Sequence, residues 1–242
     1  MLRLRSAGLM LLLATLPACS SDSAEPEPGA ERSAESAAPA GASDESRAEA
    51  LTIVYLGDSL TAGYGLAEGE DEAYPALIER KAEALGWNVR TVNAGVSGDT
   101  SAGGLRRVDW IVNRGPVDVL VLALGANDGL RGLPVEALKE NLEAIIARVR
   151  ALNPDVRIVL AGMMVPTNMG GAYGERFAEV YREVADEQDV ALIPFLLDGV
   201  GGVRSLNQPD GVHPTAEGQR VMAETVWQTL RPVLEEARAE QG

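Results

Sequence analysis

"VDVLVLALGAND", residues 117–128, is an almost unbroken apolar run that turns abruptly polar at its end. A strand half exposed to water alternates apolar and polar side chains. One that is apolar in succession has both faces covered, which is the mark of a parallel sheet between helices. The flanking sequence extends this pattern. Strands are predicted at Leu51–Leu56, Val89–Asn93, Val117–Leu124, Arg157–Gly162 and Ala191–Pro194. Apolar residues recur at helical spacing between them, in Tyr74, Leu77, Ile78, Ala82 and Leu85, and in Val135, Leu138, Leu142, Ile145, Ile146, Val149 and Leu152, stopped by Asn153-Pro154. Phe177, Val180, Tyr181 and Val184 form a third set, and Val221, Met222, Val226, Leu230, Val233 and Leu234 a last. The fold class expected is α/β, with a central parallel sheet of about five strands.

In such a sheet the ligand site lies beyond the carboxyl ends of the strands, and the polar clusters of this chain fall there. The first strand runs out into Gly57-Asp58-Ser59, the second into Asn93-Ala-Gly95-Val-Ser-Gly98-Asp99 and the third into Gly125-Ala-Asn127-Asp128. The fifth is followed, after an irregular loop, by Asp210-Gly-Val-His213-Pro214. His213 is the only histidine in the chain. A serine nucleophile needs a base titrating near neutrality, so His213 is the conventional candidate. Asp210, three residues earlier, is close enough on a tight turn to bond the imidazole Nδ1–H and leave Nε2 free.

Ser59 and Asp58 also suit a turn or helix cap on their own account. A serine that opens a helix nevertheless exposes its Oγ and brings a backbone N–H toward a developing oxyanion. The side-chain amide of Asn127 and the backbone N–H of Gly95 are candidate oxyanion donors, although each is an ordinary turn residue. Arg131 reads as a solvated loop arginine. Gly63 and Gly65 evoke a phosphate-cradling loop, but no Gly-Lys-Ser/Thr follows, which argues against a nucleotide site.

Four segments together resemble the sequence blocks of the SGNH hydrolases, the GDSL esterase/lipase family: "GDSLTAGYG", "NAGVSGDTS", "GAND" and "DGVHP", in that order over residues 51–236. The stretches "AYPALIERK", "LGANDGLRGLPVEALKENL" and "VALIPFLLDGV", with the irregular "MMVPTNMGGAYGERF", are similar to the bacterial periplasmic multifunctional thioesterase, lysophospholipase and arylesterase branch. The resemblance implies a flavodoxin-like three-layer α/β/α sandwich and a serine esterase without metal or organic cofactor. It also implies Ser59 as nucleophile, His213 as base, Asp210 as its orienter, and Ser59, Gly95 and Asn127 as oxyanion donors. A carbohydrate O-acetylesterase is an alternative within the family, and a non-catalytic envelope binding protein an alternative outside it.

The first fifty residues have another character. Arg3 and Arg5 precede an apolar stretch from Leu9 to Leu16 and then Pro17-Ala18-Cys19, the order of a secretory signal. That stretch is far shorter than the roughly 20 residues of a membrane span. Cys19 is the only cysteine, so an intramolecular disulfide is excluded. Its setting resembles the lipobox of bacterial lipoproteins, implying residues 1–18 as signal peptide, lipidation of Cys19, and export to a membrane, the periplasmic face of the outer membrane if the cell is Gram-negative. The rest of 19–50 is mostly Ser, Ala, Glu, Pro and Gly, which is expected to be a disordered linker with a reach of roughly 30 Å. Residues 51–242 are the expected hydrolase domain. Its net charge is −11 of the chain's −15, which argues against nucleic acid as a partner and against recruitment by anionic lipid head groups. The expected partner is a small acyl ester or thioester.

Overall fold

The structure is a computed structural model that describes residues 50–241; the signal peptide, Cys19 and linker expectations lie outside the described residues. Five strands form one parallel sheet in the order β2-β1-β3-β4-β5: β1 (Leu51–Gly57), β2 (Val89–Gly95), β3 (Val119–Ala123), β4 (Arg157–Ala161) and β5 (Ala191–Ile193). The strands agree with those predicted to within two residues at each end, β2 running on to Gly95 because Gly57 pairs with it. All seven residues of β1 and all five of β3 are buried. Helices on both faces explain why.

The helices are α1 (Ser59–Ala62), α2 (Tyr74–Ala84), α3 (Ser101–Val112), α4 (Ala126–Leu130), α5 (Val135–Leu152), α6 (Gly171–Gln188) and α7 (Ala216–Gln241). Most apolar positions counted off at helical spacing are buried, among them Leu138, Leu142, Ile145, Ile146 and Val149 on α5 and Phe177, Val180, Tyr181 and Val184 on α6, whereas Leu85 and Leu152, at or near helix ends, are exposed. α3 lies close on the sheet because Gly104 faces Leu124; a β-carbon there would collide with the leucine. Three helices fall outside the expected sets: α1 and α4, too short to show periodicity, each begin just beyond a strand, and α3, Ser101–Val112, was not among the expected helices.

The ends of the strands are bound to one another by buried polar groups. Gln219 on α7 accepts the Tyr74 N–H at 2.9 Å and donates to the Leu60 carbonyl at 3.2 Å, fastening α7 to α2 and α1. Tyr181 on α6 donates to the Leu124 carbonyl at 3.0 Å. The next residue, Gly125, has φ +116°, and a β-carbon would strike the Tyr181 hydroxyl. Only glycine meets both demands, so the chain can turn sharply from β3 into α4 and present Asn127.

Candidate active site

Ser59 is the first residue of α1, directly beyond β1. Asp58 caps the helix, its Oδ1 accepting the Leu60 N–H at 3.0 Å. Gly63, in the left-handed conformation, closes it after one turn. The turn that sequence chemistry suggested is therefore real. As a first-turn residue, Ser59 has a backbone N–H that the helix ladder does not use.

Across the site, Asp210 and His213 lie on the loop between β5 and α7. The Nδ1 of His213 is 2.7 Å from Asp210 Oδ2, and its Nε2 is 3.0 Å from Ser59 Oγ. The other Asp210 oxygen accepts the backbone N–H groups of Val212 at 2.9 Å and His213 at 3.0 Å. The His213 side chain and then these backbone donors hold the Asp210 carboxyl down to about 2, so it stays ionised through the physiological range. An ionised carboxylate can only accept. The imidazole therefore carries its proton on Nδ1 and turns a lone pair toward the serine hydroxyl.

The loop itself is pinned by Gln208. Its Nε2 donates to the carbonyls of Tyr64 at 2.7 Å and Pro214 at 3.0 Å, and its backbone N–H to the His213 carbonyl at 2.7 Å. Tyr64 lies against the imidazole, ring centroids 4.6 Å apart. The two contacts with Tyr64 could not be read from sequence, because they join segments far apart in the chain.

Asn127 stands on α4 with its Nδ2 2.9 Å from the Asp99 carbonyl and 3.3 Å from Asp58 Oδ2. It thus bridges the glycine segment and the serine turn. Beneath it, Asp128 accepts the Ser101 N–H at 2.8 Å and the Ser101 hydroxyl at 2.6 Å, and Asn141 donates to the same hydroxyl at 2.9 Å. Asp58 is 1% exposed. Burial pushes its carboxyl up to about 6 against the opposing pull of the Leu60 N–H, the His213 charge and the Asn127 amide.

The expectation for Gly95 needs correcting. Its N–H is already given to Asn93 Oδ1 at 2.9 Å, and a β-carbon there would strike the backbone of Ala62. Gly95 lets the end of β2 pack on the serine turn; it does not leave a free donor. Gly98 meets that need better. It is the third residue of the turn closed by the Asp99 N–H on the Val96 carbonyl at 3.0 Å, with φ +81° as a type II turn demands. Its own N–H has no hydrogen-bond partner among the described residues. The adjoining Asp99 carbonyl is held by Asn127, and the Gly98 carbonyl accepts from Arg131 at 2.9 Å. Arg131, expected to be merely solvated, braces this turn.

Arg107 on α3 ties two strand ends and the turn after β2 together. Its Nε pairs with Asp99 at 2.6 Å, and its two terminal nitrogens donate to the Ala94 carbonyl at 2.7 Å and the Gly57 carbonyl at 2.8 Å.

Hydroxyl, imidazole and carboxylate in hydrogen-bonded series at the carboxyl ends of a parallel sheet define a serine hydrolase. Comparison with known proteins agrees. Residues 55–221 match the GDSL-like Lipase/Acylhydrolase family, and the chain belongs to it. It is 40% identical to Esterase TesA of Pseudomonas aeruginosa over 188 residues, 78% of this chain and 92% of that protein. It is 35% identical to Thioesterase 1/protease 1/lysophospholipase L1 of Escherichia coli K12 over 189 residues, 77% and 86% of the two chains. A crystal structure of TesA superposes with a TM-score of 0.71 at 40% identity, covering 75% of this chain and 98% of that one. The protein is an ester hydrolase of this family.

Proposed function

We propose that Ser59 attacks the acyl carbonyl of an ester or thioester and carries the acyl group between two half-reactions. His213 takes the Ser59 proton through Nε2 as the C–O bond forms, while Asp210 stabilises the imidazolium. The tetrahedral oxyanion rests on the N–H groups of Ser59 and Gly98 and on the Asn127 amide proton that otherwise makes the long 3.3 Å bond to Asp58 Oδ2. Its collapse expels the alcohol or thiol, which leaves with the proton held by His213. Water, deprotonated by the same nitrogen, then attacks the acyl-enzyme and releases the acid and the free serine. The observation that carries this reading is the pair of distances at His213, 2.7 Å to the carboxylate and 3.0 Å to the hydroxyl.

The relatives named for esterase, thioesterase and lysophospholipase activity support acyl esters and thioesters as the substrate class, and we take medium acyl chains to be included. A p-nitrophenyl ester series with matched acyl thioesters tests this. Turnover should persist from acetate to medium chains; activity confined to acetate would favour the O-acetylesterase alternative. The enzyme is further proposed to be exported and tethered through lipid on Cys19, a reading supported by Arg3, Arg5, the apolar Leu9–Leu16 stretch and the lone cysteine. Radiolabelled palmitate should enter the wild-type chain and not Cys19→Ala. Equal labelling of the two would rule out Cys19 as the attachment point.

A further inference from the structure

The crossover that places α3 leaves one part of the sheet uncovered. From β2 the chain must return to β3, which lies beyond β1, so α3 packs against β1, Leu124 and α5 instead of over the edge strand. The result is a groove of about 440 Å³ along the open side of β2, a volume within the range of small-molecule sites. Val54, Val92, Ile111 and Val117 give it an apolar lining.

Its polar lining is one-sided. Arg90, Arg107 and Arg114 line the groove and no carboxylate does, in a domain whose net charge is −11. Arg107 is committed to Asp99 and two carbonyls. The other two are not: Arg90 donates to Thr52 Oγ1 at 3.0 Å, Arg114 lies 4.3 Å over the ring of Trp110, and neither makes an ion pair among the described residues. Trp110 itself is 64% exposed, an apolar ring presented to solvent beside unpaired cations. The acidic neighbours in sequence are engaged elsewhere: Asp109 is turned to Arg148 at 3.4 Å, and Asp118 accepts the Thr52 N–H at 2.7 Å.

An apolar trough with two available guanidinium groups at its margin complements a molecule with an alkyl chain and an anionic head. We infer that this groove binds a single-chain anionic amphiphile, a long-chain carboxylate or an alkyl phosphate, with the chain along Val92 and Trp110 and the head on Arg90 and Arg114. The Ser59 site is not needed for this binding, so the inference stands apart from the proposed reaction.

Trp110 provides the test. Decanoate and decyl phosphate, each below its micellar concentration, are titrated against the full chain while tryptophan emission and binding heat are recorded. Acetate and 1-decanol serve as probes without chain and without charge. At least one of the two anions should give a saturable signal, and the stronger identifies the preferred head group. Arg90→Gln/Arg114→Gln should weaken it by about tenfold or more, as loss of charge-assisted hydrogen bonds requires. Ser59→Ala should bind like wild type, and Trp110→Phe should lose the emission change while keeping some heat. Silence with both anions would overturn the inference. So would equal binding by the glutamine variant, an equal response to 1-decanol, or an emission change that survives Trp110→Phe.

Discussion

Ser59 and Asn127 rest on buried polar groups, whereas Asp210 and His213 ride on an exposed loop. Asp58 and Asp128 are 1% and 3% exposed; the Asp210 side chain is 42% exposed. The first half is fixed by strand ends and the turn after β2: Gly57, Ala94 and Asp99 all meet on Arg107, and Ser101 meets Asp128. The second is fixed by Gln208 and by the carboxylate that the loop itself supplies. Ser59 and Asn127, the proposed nucleophile and oxyanion donor, therefore draw on the stability of the whole sheet, and His213, the proposed base, depends on a few local hydrogen bonds. Variants in the two halves should fail differently.

The largest losses belong to the groups where the halves meet. Ser59→Ala and His213→Ala should each lower kcat by roughly 10⁴-fold or more, with melting temperature little changed, in a p-nitrophenyl ester assay. Asn127→Ala should lose about 10²–10³ in kcat while remaining folded. Wild-type activity in Asn127→Ala would remove it from the oxyanion site. The donor assignment itself can be sharpened with a phosphonate adduct structure: the phosphoryl oxygen should lie within hydrogen-bond reach of the Gly98 N–H, and contact with the Gly95 N–H instead would restore the sequence expectation.

Smaller effects separate the supports. Gln208→Ala should reduce kcat by roughly tenfold, since modest misplacement of a catalytic group is costly, and leave the thermal transition almost unmoved. Arg107→Ala should do both kinds of damage, because it leaves the carbonyls of Gly57 and Ala94 short of a donor, a loss of about 1–3 kcal/mol in denaturant unfolding. Equal stability loss in both variants would erase the contrast drawn between the halves.

The smallest expected change is one of stability with pH. The Asp58 carboxyl is raised to about 6 from an ordinary value near 3.8. The native state therefore binds the proton more tightly than the unfolded chain, and stability is lost as pH rises from about 4 through about 6. Asp58→Asn removes the ionisation and should flatten that fall, gaining about 1–3 kcal/mol over wild type at pH 7.5. It should also lower kcat, since an amide group turned toward Asn127 replaces an acceptor. A parallel pH dependence in wild type and variant would contradict the assignment. The ionised Asp210 works in the opposite sense, its support fading only as pH falls below about 4 toward about 2, so activity lost on mild acidification reports other groups.

The sheet was legible because "VDVLVLAL" and its fellows are apolar on both faces, and strand–helix alternation leaves little choice of class. The reactive trio was legible because there is a single histidine and an aspartate three residues before it. Choosing between Gly95 and Gly98 was not possible from sequence. Both occupy the same polar segment, and the difference lies in which N–H the Asn93 side chain consumes. Arg107, Gln208 and Tyr64 were equally hidden, since their partners are set by tertiary contact and their residue types are ordinary on a helix or loop. The open side of β2 follows from strand order, which local patterns do not contain.

The central claim is that Ser59 is the nucleophile activated by His213. Incubation with a fluorophosphonate probe followed by peptide mass spectrometry tests it most directly. We expect stoichiometric phosphonylation of Ser59 in the wild-type chain and strongly slowed labelling in His213→Ala. An unlabelled wild type, or probe carried on another residue, would contradict the mechanism.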